Sequence, residues 1–413
     1  MDATNGPGWN RPRHRRGGSG SSGHRPKDRK VEGELYGALD LGTNNCRLLI
    51  ATPNAGGFVV VDAFSRIVRL GERLEQTGNL SEDAMDRTIE ALRVCANKLK
   101  WRDVKRVRLV ATEACRMAQN GRGFIARVTE ETGLVLEIID RETEAGLAAV
   151  GAEPLVDTGA DSALVFDIGG GSTELSWIRR AGVRFETVAW TSLAAGVVTI
   201  SERYGGGVDV TPQSFDAMRA HIRPMLRDFV EQVRRSHPEQ IIVPSHLLGT
   251  SGTVTTIAGV QLGLPRYDRS RVDGCWLGST DIGTVTHQLL HMSYDQRAAN
   301  PCIGKERADL VLAGCAILEE IRLTFPAERI RVADRGLREG ILTLMMKEDG
   351  TYGRAAGAGP EVARNRRAAT SRSASAAARA ARCRKRHGSS ASSTTLTCRR
   401  PASSATGRAP PSS

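Results

Sequence analysis

With 413 residues, 40% of them hydrophobic, the chain has the length of two or three domains with sizeable cores. Its formal charge of +12 sits at the ends: residues 1–33 hold 8 Lys/Arg against 3 Asp/Glu, residues 353–413 hold 13 against 1, and the segment between carries −5. Bulk basicity therefore does not argue for a nucleic-acid enzyme, and no stretch reaches the roughly 18 uncharged apolar residues of a membrane-crossing helix.

Residues 1–33 mix Arg, Gly, Ser, His and Pro without apolar periodicity or the apolar run of a signal peptide, which predicts a disordered basic arm. A first domain is predicted over 34–153. It opens with strands at 36–41, 45–52 and 57–66, and the segment DLGTNNCRLLI starts at Asp40. Thr43, Asn44 and Asn45 fall in the turn, where backbone N–H groups and polar side chains would converge on a concavity suited to phosphate oxygens. A helix over 81–100 follows, capped by Ser81 with Glu82 and Asp83 in its first turn, where the helix dipole favours acids. Next come a strand at 106–112, helices at 113–118 and 121–132, a strand at 134–139 and a helix at 142–151. The first of these helices carries Arg116 in TEACRMAQN, and the last carries Glu142 and Glu144 in RETEAGLAAV. Taken alone, Arg116 is a surface residue and the two glutamates are first-turn acids.

The pattern breaks near Gly151 to Asp161, and a second domain is predicted over 154–352. Strands at 163–167, 173–179 and 184–190 enclose DIGGGSTELSWI, which starts at Asp167. Both segments read Asp, aliphatic, Gly, five variable residues, Leu. One such loop is weak evidence; two in register predict a duplicated fold with a phosphate-handling cleft between the copies. In a strand–turn–strand, Asp167 and Glu174 return to the same end, spaced to share a hard cation; the plainer alternative is a turn-capping Asp and a solvated Glu.

Helices are then expected at 191–204 and 211–236, the latter started by Thr211 and Pro212, with RYGGGVD at 203–209 as a flexible connection. A strand at 241–249 leads through GTSGT (Gly249 to Thr253) into a helix at 251–262, whose N-terminus favours an anion. His287 and His291 lie one turn apart in the helix at 279–292 but lack the Glu of H-E-x-x-H, so a helix-face role outweighs zinc. A helix at 304–324 begins with Lys305 and Arg307, and a strand at 329–333 and a helix at 335–346 close the pattern. Alternating strands and helices predict an α/β protein. Beyond Gly353 the Ala/Arg/Ser/Thr-rich tail, 353–413, is expected to be disordered, and its abrupt change of composition leaves a shifted reading frame open. Eight scattered cysteines without a C-x-x-C pair predict reduced thiols in a cytoplasmic protein. No Walker loop is present, which excludes a P-loop NTPase on motif grounds.

The ordered set DLGTNNCRLLI, TEACRMAQN, ETEA, DIGGGSTEL, GTSGT and RGLREG resembles the exopolyphosphatase / guanosine pentaphosphatase family, in the superfamily of actin, sugar kinases and acetate kinase. The resemblance spans residues 34–348 and fits the short, two-domain type. It implies two ribonuclease-H-like (actin-like) domains closing on a cleft, with Glu144, which directly precedes Ala, activating water and Arg116 clamping phosphate. It further implies Mg²⁺ on Asp167 and Glu174, with Asp40 left open as a third ligand. Phosphate contacts are expected from Thr43, Asn44, Asn45, Gly169, Gly170, Gly171, Ser172, Thr173, Gly249, Ser251, Gly252, Thr253 and, with weaker support, Arg307. Asn45 and Thr43 stand where Ser is common in the family, which would shift phosphate register. The implied reaction releases orthophosphate from linear polyphosphate, with guanosine pentaphosphate as the alternative substrate. A superfamily kinase would leave Glu144 superfluous. A non-catalytic polyphosphate or alarmone binder would tolerate its loss, and an RNA-binding protein would bind through its tail with steep salt dependence. No specific nucleic-acid partner and no membrane are expected, and a homodimer is left open.

Overall fold

The structure, a computed structural model, describes residues 33–182, 184–236 and 243–354. Apart from Gly33, Gly353 and Arg354, the basic arm and tail lie outside the described residues. The first sheet contains β1 (Tyr36–Leu41), β2 (Asn45–Asn54), β3 (Gly57–Ile67), β4 (Arg106–Ala111) and β5 (Glu137–Ile138), in the spatial order β3-β2-β1-β4-β5. The second contains β6 (Ser162–Ile168), β7 (Thr173–Ala181), β8 (Arg184–Leu193), β9 (His246–Thr250), β10 (Trp276–Gly278) and β11 (Arg329–Ala333), in the order β10-β11-β9-β6-β7-β8. Read from its other edge and without β10, the second order repeats the first. Each sheet is a three-stranded antiparallel meander continued by two parallel strands. This is the duplicated α/β architecture that the two Asp-led segments predict.

The helices are α1 (Leu74–Thr77), α2 (Glu82–Trp101), α3 (Glu113–Met117), α4 (Gly121–Thr132), α5 (Arg141–Ala152), α6 (Val197–Arg203) and α7 (Pro212–Ser236). They continue as α8 (Ser251–Gln261), α9 (Arg269–Val272), α10 (Ser279–Leu290), α11 (Tyr294–Ala299), α12 (Val311–Thr324) and α13 (Leu337–Glu348). Ser81 caps α2 by accepting from the Ala84 N–H at 3.3 Å, and Asp140 caps α5 by accepting from the Thr143 N–H at 2.7 Å. Two expected helices start late. Thr191 to Leu193 extend β8 because they pair with β7, Ser192 opposite Glu174, so α6 begins only at Val197. Residues 305–310 form turns instead of helix, because Gly304 takes a left-handed φ of 74° and Asp309 is tied to Arg69 across the cleft. Of the strand expected at 241–249, residues 241 and 242 lie outside the described residues and the rest begins at His246.

The central strands of each sheet are buried on both faces. In the first, Leu39, Leu41, Leu48 and Ile50 face Ile89 and Leu92 of α2 and Phe124 of α4. The alternate residues Tyr36, Ala38, Leu49 and Ala51 face Leu147 of α5 and Ile341, Leu342, Met345 and Met346 of α13. In the second, Leu164, Phe166 and Ile168 pack on α7 and α12, while Ala163 and Val165 meet Ala152 at the end of α5. The final helix thus packs on the first sheet, although a contiguous boundary at 153/154 assigns it to the second domain. Helices α5 and α13 cross at backbone contact distance: a Cβ at Gly151 would run into the Gly336 carbonyl, and one at Gly340 into the Leu147 carbonyl.

Candidate active site

The two β-turns come together at one cavity. In the first hairpin Asp40 pairs with Arg47, and in the second Asp167 pairs with Glu174, so the duplicated fold puts a cation and an anion at equivalent positions. The turns touch: a Cβ at Gly170 would lie 2.9 Å from Cβ of Thr43, and one at Gly171 would lie 2.7 Å from its Oγ1. The cavity between them measures about 120 Å³, and its lining includes Asp40, Arg47, Glu113, Glu144, Asp167, Glu174 and Arg307. β9 ends at Thr250, and α8 then presents Ser251, Gly252 and Thr253 to the same space. Ser251 holds a left-handed φ of 81° and donates its hydroxyl to the Ile168 carbonyl at 2.8 Å, tying this third turn to the second. Strained backbone of this kind persists only where its surroundings enforce it.

The electrostatics of the cavity are those of a site short of positive charge. Burial raises the carboxyls of Asp40 and Asp167, and nearby Arg47 and Arg338 only partly oppose it. Burial, with the charge of Asp167, pushes Glu174 up to about 7 despite hydrogen bonds to Oε1 from the hydroxyls of Ser172 (2.6 Å) and Ser192 (2.9 Å). Glu144 is raised well above the usual carboxylate range by burial and by Glu174, against the pull of Arg116. Glu113 goes the other way: burial would raise it, but hydrogen bonds from Arg141 and Arg116 outweigh burial and hold it low. Two carboxyls pushed apart in this way take different roles. Here Glu144 holds the raised proton affinity, and Glu113 stays a fixed anion.

A divalent cation fits this arrangement. Asp40, Asp167 and Glu174 face the cavity with raised affinity for positive charge, and Asn44 Oδ1 and Asn45 Oδ1 are buried without a hydrogen-bond partner among the described residues. No three His, Cys, Asp or Glu side chains among the described residues form an all-protein metal cage. Mg²⁺ needs none, because it takes one or two carboxylates together with substrate phosphates.

Over residues 49–349 the chain matches the model of the Ppx/GppA phosphatase family. The chain belongs to that family. The Aquifex aeolicus member of the family is similar at 27% identity and a TM-score of 0.64, over 76% of this chain and 98% of that one. A Cytophaga hutchinsonii protein described as an exopolyphosphatase is similar at 25% identity and a TM-score of 0.69, over 77% of this chain and 98% of that one. The resemblance drawn from the ordered motifs, and the actin-like α/β fold it implied, agree with both.

In this Ppx/GppA phosphatase most expected phosphate contacts reach the cavity: Thr43, Asn44, Asn45, Gly169, Gly170, Gly171, Ser172, Ser251, Gly252, Thr253 and Arg307 all line it. Three expected site residues do not. Thr173 is fully buried and donates its hydroxyl to the Ala195 carbonyl at 2.5 Å. Gly249 is a packing residue, since a Cβ there would meet the Phe166 ring at 2.6 Å. Arg116 stands behind the cavity wall, with Nε bound to Glu113 Oε2 (3.0 Å), Nη1 to the Ile139 carbonyl (2.6 Å) and Nη2 to Glu113 and Glu144. Its guanidinium is committed to protein partners, Glu144 among them.

Sequence reasoning missed Arg47, Glu113 and Arg338. Arg47 is legible as the counterpart of Glu174 under the repeat; the other two lie inside the motifs TEACRMAQN and RGLREG, which do not single them out. The Gly-rich 203–209 segment is no loose connection. Arg297, 2% exposed, donates to the carbonyls of Gly207 and Val208, each at 2.9 Å, and the Asp309 carbonyl packs on Gly207. The loop thereby buttresses the turn that carries Arg307. His287 and His291 are exposed on α10, with Nδ1 of His291 bonded to the His287 carbonyl, consistent with a helix-face role. The six described cysteines are free thiols; Cys383 and Cys398 lie outside the described residues. Among the described residues no helix is long and apolar enough to cross a membrane.

Proposed function

We propose that this protein is a cytoplasmic, Mg²⁺-dependent exopolyphosphatase that releases orthophosphate from the end of linear inorganic polyphosphate. The observation that carries the reading is the cavity. Two hairpin turns, an acid cluster and two arginines enclose about 120 Å³ with no aromatic side chain in the lining. That volume is well below the roughly 300–1,000 Å³ of pockets that enclose drug-sized ligands. It suits the terminal phosphoryl groups of a chain, and it offers a purine no stacking surface.

Glu144 performs the chemistry that a phosphoanhydride requires. Its carboxylate accepts a proton from water as the oxygen attacks the terminal phosphorus; the new P–O bond forms as the bridging P–O bond breaks, and the electron pair leaves on the chain shortened by one phosphate. Arg116 holds Glu144 Oε2 at 3.0 Å, leaving Oε1 for the water. The backbone N–H groups of Gly170 and Gly171 and the guanidiniums of Arg47 and Arg307 hold the phosphate oxygens in line. Asp167 and Glu174, with Asp40 beside them, would hold Mg²⁺, whose charge offsets that of the phosphates.

Glu144→Gln tests the assignment. It preserves size but cannot accept a proton, so kcat should fall by roughly two to four orders of magnitude. Polyphosphate affinity should hold or improve, since a negative charge beside a polyanion is removed. A fully active Glu144→Gln enzyme would remove Glu144 from its role.

A further inference from the structure

We propose that Glu113 is a positioning residue for the reaction, acting on Glu144 through Arg116; the inference rests on the reading of Glu144 as the group that activates water. Glu113 opens α3 and is 6% exposed. It meets the second phosphate turn directly, since a Cβ at Gly171 would lie 3.0 Å from Glu113 Cγ. One helical turn on, Arg116 gives Nε and one N–H of Nη2 to Glu113 Oε2, and Nη1 to the Ile139 carbonyl. What remains for Glu144 is a single bond, Nη2 to Oε2 at 3.0 Å. On its other side Glu113 is held by Arg141, with Nη2 to Oε1 at 2.7 Å and Nε to Oε2 at 3.3 Å.

This chain of groups fixes a geometry that Glu144 cannot set alone. A guanidinium free of Glu113 would close its fork on both oxygens of Glu144, because a bidentate pair is the preferred arrangement of Arg with a carboxylate. Both oxygens of the base would then be tied to the guanidinium, and neither would be free of it for water. By taking one edge of the fork, Glu113 limits Arg116 to one oxygen of Glu144 and leaves the other for water. Glu113 also keeps Arg116 from swinging toward substrate. Its removal should therefore act on the chemical step more than on binding.

The test is a double-mutant cycle in the full chain, with kcat and KM for polyphosphate measured on wild type, Glu113→Gln, Arg116→Met and the double variant, beside Glu144→Gln. Glu113→Gln should lower kcat by about tenfold or more, with KM within about twofold of wild type. In the Arg116→Met background the same change should alter kcat by less than about twofold, because residues acting through one another are not additive. Wild-type kcat in Glu113→Gln, or losses that multiply in the double variant, would overturn the proposal. Thermal melts identify a variant that fails to fold, and Arg116→Lys, which keeps the charge but not the fork, then takes the place of Arg116→Met. If Glu144→Gln loses turnover while Glu113→Gln does not, only this inference fails. If Glu144→Gln is fully active, the reading beneath it fails too.

Discussion

Glu113 and Glu144 share one arginine and yet are driven in opposite directions: burial and the charge of Glu174 outweigh Arg116 at Glu144, whereas Glu113 has a second guanidinium beside it. Sequence shows both as acids near helix starts and cannot rank them, since the ranking depends on tertiary neighbours. Asp167 and Glu174 are legible because strand register alone brings them together. The partners of Arg116 are not legible from its motif, since they include the Ile139 carbonyl, whose position no motif encodes. The acid cluster carries a prediction of its own. Asp40, Glu144, Asp167 and Glu174 are all raised in the fold, Glu174 to about 7. The folded state therefore binds these protons more tightly than the unfolded chain, and the stability they contribute falls as pH rises from the ordinary carboxylate range through the raised values. A divalent cation competes with those protons. The rise in Tm on adding Mg²⁺ should be larger at pH 8 than at pH 5.5, and should shrink in Asp167→Ala. An unchanged Mg²⁺ shift in Asp167→Ala would place the ion elsewhere.

At the scale of elements, apolar periodicity locates most of the longer strands and helices, and two helix starts are misplaced where pairing or a cross-cleft contact overrides local preference, at Thr191 to Leu193 and at residues 305–310. The α5–α13 crossing is not legible, since a glycine in a helix gives no sign of which backbone it approaches. It matters because α5 carries Glu144. At Gly151 an added methyl meets the Gly336 carbonyl, whereas at Gly146, on the same helix, nothing lies within 4 Å. Gly151→Ala should cost about 1–3 kcal/mol as overpacking and lower kcat by displacing α5. Gly146→Ala should stabilise by roughly 0.5–1 kcal/mol, the ordinary gain of Ala over Gly in a helix. Chemical denaturation of the two variants side by side checks the contrast; equal stability would mean that the crossing has slack.

The molecule as a whole is two copies of one sheet topology, with the helix pair α5 and α13 between them and the two phosphate turns in contact. The side of the cleft near the first turn is held by polar contacts between the copies. Arg69 Nη1 donates to Asp309 Oδ2 at 2.9 Å, the Arg73 N–H donates to Glu202 Oε1 at 2.9 Å, and Arg203 pairs with Glu75. These partly exposed pairs contribute little each. The repeat of Asp-led hairpins makes this architecture readable from the amino-acid order alone. The substrate is not readable in the same way, because the same anhydride ends linear polyphosphate and guanosine pentaphosphate. The most direct test is phosphate release by the purified full chain with Mg²⁺, measured on long-chain polyphosphate and on guanosine pentaphosphate side by side. The cavity predicts the higher kcat/KM on polyphosphate. Turnover confined to guanosine pentaphosphate, or no turnover of either substrate by a folded protein, would contradict it.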